Sequence, residues 1–222
     1  LESVLMEDGL RDAFSGESMG NTGETVAEEH GISRSDSDKF SVRSHTLANN
    51  AWEEGWFDRE VFPVGSLKRD EGIRPETNEE ALSDLRAVFS KGGQVTAGNA
   101  SQVSDGASAV LIASEEAAAE LGLPVLARIV EYATSGVEAS RVMSAPIPTV
   151  NKLLEKSGRT MGEIDVLEHN EAFASASCAI RKSLEVPDDS FNPHGGAIAI
   201  GHPLGATGTR CLMTLVNAMS RT

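Results

Sequence analysis

The stretch ASAVLIASEEAAAELG, from Ala107 to Gly122, decides the fold class. Its first half, Ala107 to Ala113, is a short continuous apolar run that reads as a buried strand. Ser114 follows as an N-cap, and Glu115 and Glu116 open an alanine-rich helix that ends at Gly122. The alternation continues with a strand over 127–133, a helix around Thr149 to Lys156 and a short strand over 165–168. A helix from Glu171 to Leu184 comes next, placing Phe173, Ile180 and Leu184 near one face. After a glycine-rich strand and loop, Leu212, Leu215, Val216 and Met219 give the last helix an apolar stripe. Strands alternating with helices predict a layered α/β core from residue 105 onward.

Upstream the texture differs. Ser33 and Asp36 have capping-box spacing ahead of a helical pattern through Phe40, Ser44, Leu47 and Ala48 to Trp52, which Gly55 ends. A polar loop from Ser66 to Thr77 carries Lys68, Arg69 and Arg74, and a short helix is expected from Asn78 to Val88. The front of the chain thus reads as a separate lobe with long loops. Leu5, Leu10, Ala13 and Phe14 are already helix-like at the start, and the chain stops at Thr222 directly after a helix, so both ends read as cuts.

Asp and Glu total 34 against 19 Lys and Arg, a net charge of −15, which disfavours nucleic acid because that partner asks for a basic footprint. Any anionic ligand needs a local basic patch. Few lysines among many acids suggest a protein kept soluble at high salt, a halophilic adaptation in which self-repulsion is screened; the other reading is an ordinary acidic cytoplasmic protein. No apolar run reaches the roughly 18 residues of a membrane span. Cys178 and Cys211 form no CxxC pair or disulfide framework, which fits a reducing cytoplasm.

The densest chemical signal is NPHGGAIAIGHPLGATG, Asn192 to Gly208. His202 sits between Gly201 and Pro203 in a restricted loop, which suits a general base, because imidazole titrates near neutrality and must be held in place. The other reading is a satisfied core histidine in a tight turn. The second signal is HNEAFA, His169 to Ala174. Asn170 can donate a hydrogen bond, directly or through water, to an oxygen that gains negative charge, or can simply cap the helix. Glu171, in the expected first turn, favours the helix dipole in either case.

These two blocks resemble the thiolase family, which includes acetyl-CoA acetyltransferases and 3-ketoacyl-CoA thiolases. The match extends upstream through Met19-Gly20, Gly31 to Arg34, Val95 to Ser101 and Ser104 to Ala107, in the family's order. The resemblance implies an α/β thiolase fold, with layered α/β/α/β/α halves and an inserted loop domain, only part of which is present. On that map 1–103 are most of the CoA-binding loop domain, 104–123 the end of the N-terminal half, and 124–222 most of the C-terminal half. It implies that His202 activates a nucleophilic cysteine and that Asn170 orients a water in the oxyanion hole. It further implies that Met19, Phe89 and Ser101 line the pantetheine channel and that Lys68, Arg69 and Arg74 lie near the CoA phosphates. The resemblance likewise implies that Phe173 and Met143 belong to the acyl pocket, with Glu171 and His194 behind His202 and Asn170.

The chain departs from the family at Ser18, where histidine is common, at Gln102 after Ser101, and in the short turn from Met143 to Pro146. Both cysteines of the family's chemistry are missing. Cys178 and Cys211 align with ordinary helix positions, and a thiol among apolar neighbours has a raised pKa. His30, His45, His169 and His194 match no compact metal-ligand motif, so no metal is expected. The resemblance therefore implies an acyltransferase with coenzyme A and acyl-CoA as substrates, no tightly bound cofactor, and a homodimer or homotetramer when complete. It works by thiolysis or Claisen condensation through a cysteine outside this chain, which alone is inactive. The contrasting reading is a non-catalytic or regulatory partner subunit of a thiolase-like complex.

Overall fold

Ser33 begins the longest helix as the spacing predicts. A computed structural model describes residues 3–220, and in it the Ser33 hydroxyl accepts from the Asp36 amide while the Asp36 carboxylate accepts from the Ser33 amide. That reciprocal cap satisfies two amides that lack helical acceptors, and the helix then runs over Arg34–Glu53. In chain order the α-helices are α1 (Met19–His30), α2 (Arg34–Glu53), α3 (Glu79–Ser83), α4 (Glu115–Glu120), α5 (Pro146–Ser157), α6 (Ala174–Ser183), α7 (Ala197–Ile200) and α8 (Leu204–Met219). Asn78 and Ser114 cap α3 and α4 with their side chains, while Gly55 and Gly122 take left-handed backbone just beyond α2 and α4. The Asn78–Val88 helix is shorter than expected, and Leu5 to Phe14 gives only a π-turn over Leu5–Gly9. Thr222 lies outside the described residues.

Helix α6 is the centre of the molecule. It packs against α1 and α2, and every residue from Ala174 to Ile180 is buried. The sequence there is Ala-Ser-Ala-Ser-Cys-Ala-Ile, so small side chains let neighbours approach from all sides and no single apolar face is needed. The Ser175 hydroxyl satisfies itself on the Gly23 carbonyl of α1 at 2.8 Å. Around α6 lie Val26, Phe40, Val95, Phe173, Phe191 and Ile198, with Phe40 and Phe191 edge to face at 6.1 Å. In α8 the buried positions are Ala206, Thr207, Thr214, Asn217 and Ala218, whereas the apolar stripe through Leu212, Leu215 and Val216 is half-buried and Met219 is exposed.

The layered α/β expectation is overturned. Among the described residues there is no strand, only four isolated bridges, two of which matter for the site: Ala100 with Phe173 and Leu167 with Phe191. The run over 107–113 and the segment over 127–133 stand in the open, with Leu111 79% and Val130 69% exposed. A strand persists only where a neighbour takes up its amides and carbonyls, and among the described residues no bridge or backbone hydrogen bond pairs either segment with another. Apolar composition signalled the propensity, but it cannot supply the partner. The expected helices keep their order, but α1 and α7 were not expected, α7 stands where a glycine-rich strand and loop were read, and the layers are absent among the described residues.

The turn after Asn192 is where backbone geometry is most demanding. Gly195 has φ +73, and a Cβ there would lie 2.4 Å from the Ser44 carbonyl oxygen and 2.8 Å from the Ala48 amide nitrogen of α2. Gly195→Ala is expected to cost about 3 kcal/mol, from the left-handed backbone and the overpacking together. Urea unfolding measures it, and a loss below about 1 kcal/mol shows that the turn relaxes freely.

Candidate active site

Asn192 ties together the two segments that the sequence singled out. Its amide nitrogen donates to the Leu167 carbonyl, its side-chain oxygen accepts from the His169 amide at 2.7 Å, and its Nδ2 donates to the His169 carbonyl and to Glu171 Oε1. Asn192 itself sits at φ +44, a left-handed conformation that asparagine tolerates better than most residues. Glu171 is fully buried and accepts from Ser44 Oγ at 2.6 Å, from Asn192 Nδ2 at 2.9 Å and from the Ile198 amide at 3.3 Å. Burial raises its pKa against those hydrogen bonds. The carboxylate thus joins α2, the 167–171 segment and α7.

Neither Asn170 nor Glu171 belongs to a helix. Helix α6 starts at Ala174, with Phe173 at the N-cap and no side-chain cap, so the capping alternative for Asn170 and the first-turn placement of Glu171 are both corrected. The bridge to Ala100 extends the chain up to Phe173, with the Ser101 amide donating to Ala172 O and the Ala174 amide to Asn99 O, both at 2.9 Å. Those bonds delay the helix by one turn and leave the Asn170 carboxamide free to face the loop after α7.

That loop carries His202. Helix α7 ends at Gly201, φ +91, where a Cβ would lie 2.0 Å from Ser104 Oγ, so only glycine allows the chain to turn there. The His202 amide then donates to Ser104 Oγ at 3.0 Å and to the Gln102 carbonyl at 3.2 Å. The Gln102 side chain donates to the Gly72, Ile198 and Ala199 carbonyls, joining loop 66–77 to the same corner. The half-buried imidazole of His202 lies with Nε2 3.1 Å from Asn170 Nδ2 and Nδ1 2.7 Å from Thr207 Oγ1. Burial, then the Arg210 charge, lowers the His202 pKa. A neutral imidazole beside a carboxamide donor can take a proton at one edge while the amide binds a developing negative charge.

The apolar residues named with this pair gather in one place. Met19, the first residue of α1, Phe89 and Met143 are half-buried against the cluster that contains Phe173. Phe89 and Phe173 meet edge to face at 6.2 Å, and Ser101 borders Ala172 and Phe173 through the bridge. The basic residues behave differently from one another. Arg69 lies over the Trp52 ring at 5.5 Å and reaches Glu53 and Asn49, which anchors it to α2. Lys68 and Arg74 are exposed, and the Arg74 amide donates to His45 Nδ1. The His194 ring lies against Trp56, tilted by 36° with centroids 4.2 Å apart.

Neither thiol is suited to attack. Burial pushes Cys178 up to about 12, its sulfur lies 3.6 Å from the Asp36 carbonyl, and burial also raises Cys211. Among the described residues no three His, Cys, Asp or Glu side chains form a metal-holding group, and no helix is long and apolar enough to cross a membrane. The sequence reading assigned no role to Ser104 and Thr207, which hold the His202 backbone and ring. The signal for Thr207 was its place four residues after Pro203, the helical spacing at which a threonine hydroxyl bonds back to a carbonyl.

Comparison with known proteins gives the family. Residues 1–116 match the family described as "Thiolase, N-terminal domain", and residues 123–222 match "Thiolase, C-terminal domain". An acetyl-CoA acetyltransferase of Paracoccus denitrificans is 45% identical over 226 residues, covering 98% of this chain and 58% of that protein. The crystal structure of human mitochondrial 3-ketoacyl-CoA thiolase superposes with a TM-score of 0.94 at 40% identity, covering 97% of this chain and 56% of that one. The Bacillus anthracis acetyl-CoA acetyltransferase gives a TM-score of 0.91 at 37% identity, covering 97% and 57%. The chain spans a little over half the length of these relatives. On both family matches, the chain belongs to the thiolase family.

Proposed function

We propose that this chain supplies the general base and the oxyanion donor of a thiolase reaction whose nucleophilic cysteine lies outside it. The observation that supports the reading most directly is the 3.1 Å approach of Asn170 Nδ2 to His202 Nε2, made by two loops 32 residues apart. His202 takes the proton of the cysteine thiol. The thiolate then attacks the ketone carbonyl of a 3-ketoacyl-CoA, the carbon–carbon bond breaks, and the acetyl-CoA enolate leaves, taking a proton from the family's second, acid/base cysteine, which also lies outside this chain. The thiol of coenzyme A gives its proton to that cysteine and takes the acyl group, and the nucleophilic sulfur leaves as a thiolate that recovers its proton from His202. Condensation runs the same steps backwards. Asn170 stabilises the oxygen that carries the negative charge, through water or directly.

In this reading residues 1–103 form most of the CoA-binding loop domain, 104–123 the end of the N-terminal half, and 124–222 most of the C-terminal half. Met19, Phe89 and Ser101 line the pantetheine arm, and Phe173 and Met143 wall the acyl end. Lys68 and Arg74 face the phosphates, whereas the anchored Arg69 contributes less. The complete enzyme is a homodimer or homotetramer in the cytoplasm.

Thiolysis of acetoacetyl-CoA, followed by the loss of its absorbance with added CoA, tests the reading. The 222-residue chain alone shows no turnover above its H202A variant, and a polypeptide that joins it to the segments bearing both of the family's cysteines turns over. Turnover by the chain alone overturns the placement of the nucleophile. No turnover by the joined polypeptide overturns the acyl-transfer reading.

A further inference from the structure

We propose that Thr207 is a positioning residue that fixes His202 in the tautomer with the proton on Nδ1, leaving the Nε2 lone pair toward Asn170. The inference deepens the proposed function and rests on it for its meaning, though not for its test. Three contacts in series carry it. Thr207 Oγ1 lies 2.9 Å from the Pro203 carbonyl and 2.7 Å from His202 Nδ1, and Asn170 Nδ2 lies 3.1 Å from Nε2. A carbonyl can only accept, and a threonine hydroxyl has one proton. Bonded back to Pro203, the N-cap of α8 four residues earlier, that hydroxyl can meet Nδ1 only as an acceptor, so Nδ1 carries the hydrogen. Nε2 is then unprotonated and can accept from the Asn170 amide. Donation runs one way along the whole series, from Asn170 to His202 to Thr207 to Pro203, which is the arrangement in which each bond polarises the next.

The opposite tautomer reverses every link. Thr207 would have to give its proton to Nδ1 and abandon Pro203, and the Asn170 amide would have to turn so that its oxygen accepts from Nε2–H. The ring is placed for the first arrangement by its backbone as well. Ser104 Oγ and the Gln102 carbonyl hold the His202 amide, and Thr207 is buried, so water does not compete for its hydroxyl. A base that must collect a thiol proton needs a lone pair at the edge facing the reacting atoms, and Thr207 keeps that lone pair on Nε2 by occupying Nδ1.

The test is a long-range nitrogen–proton NMR spectrum of the 222-residue chain labelled with 15N-histidine, at a pH where His202 is neutral. The His202 signals are assigned by their loss in H202A. The expected spectrum shows a protonated Nδ1 and an unprotonated Nε2. Thr207→Val, nearly isosteric but without the hydroxyl, is expected to shift the balance toward the Nε2–H form about tenfold, the size of one lost hydrogen bond. Thr207→Ser restores the wild-type pattern. A wild-type spectrum with the proton on Nε2 overturns the inference, as does Thr207→Val with the Nδ1–H excess intact. The wild-type and serine spectra decide the matter even if the valine variant does not fold. No turnover enters this measurement, so its failure and that of the acyl-transfer reading are separately visible.

Discussion

In a polypeptide that joins this chain to both of the family's cysteines, H202A lowers the rate of acyl-enzyme formation by more than about 10³-fold, and N170A lowers kcat by roughly 10²–10³. The two differ because they act at different points. His202 must remove the thiol proton before any bond forms, and a neutral thiol among apolar neighbours is a poor nucleophile. Asn170 acts on charge that develops later. Its contact strengthens in the transition state, so N170A leaves the affinity for CoA nearly unchanged while kcat falls. Because α6 begins at Ala174 and not beside Asn170, N170A removes no helix cap, and the fold is retained. The acid limb of kcat/KM reports the free enzyme's base, and burial places it below the ordinary histidine value of 6.5. Pre-steady-state acylation and steady-state rates, with circular dichroism as the folding control, measure all three. Acylation by H202A at the wild-type rate reduces His202 to a structural residue of a glycine-rich turn.

The sequence singled out His202 and Asn170 through the resemblance that their two blocks carry, because alone the histidine read equally as part of a tight turn and the asparagine as a helix cap. Capped helices were legible for a local reason: Ser33 with Asp36, Asn78 and Ser114 each bond within three residues of themselves. What failed was whatever depended on a distant partner. The runs at 107–113 and 127–133 carry strand propensity, yet a strand is a relation between two segments, and they stand exposed. The start of α6 was misplaced by three residues because a bridge to Ala100, 73 positions away, holds Phe173 extended. Asn192, Ser44 and Ser104 escaped for the same reason. Each is an ordinary polar residue until a segment more than twenty positions distant brings its partner.

Glu168, two residues before Asn170, shows how much free energy such a long-range arrangement stores. Its side chain is 1% exposed, neither carboxylate oxygen has a hydrogen-bond partner, and the nearest charge is Arg210 on α8 at 3.7 Å. Burial pushes the Glu168 carboxyl up to about 8, with Arg210 opposing and Glu171 and Glu60 reinforcing. In the unfolded chain the same group titrates near 4.5. The folded state therefore holds a proton that the unfolded state has lost. The stability this contributes is fully present below about 4.5 and disappears as pH rises through about 8. The limiting slope is about 1.4 kcal/mol per pH unit, so several kcal/mol are at stake across the window, with the attraction of Arg210 already contained in the folded value. Glu60 and Asp70, also raised by burial, add slope of the same sign. Glu168→Gln keeps the shape and cannot ionise. Urea unfolding is expected to give similar stabilities for the two proteins near pH 5, within about 1 kcal/mol, and a clear advantage for the variant near pH 8.5. The residual slope of E168Q then belongs to Glu60 and Asp70. Two parallel stability curves would mean that Glu168 is ionised throughout and that Arg210, despite its 3.7 Å separation, outweighs the cost of burying the charge.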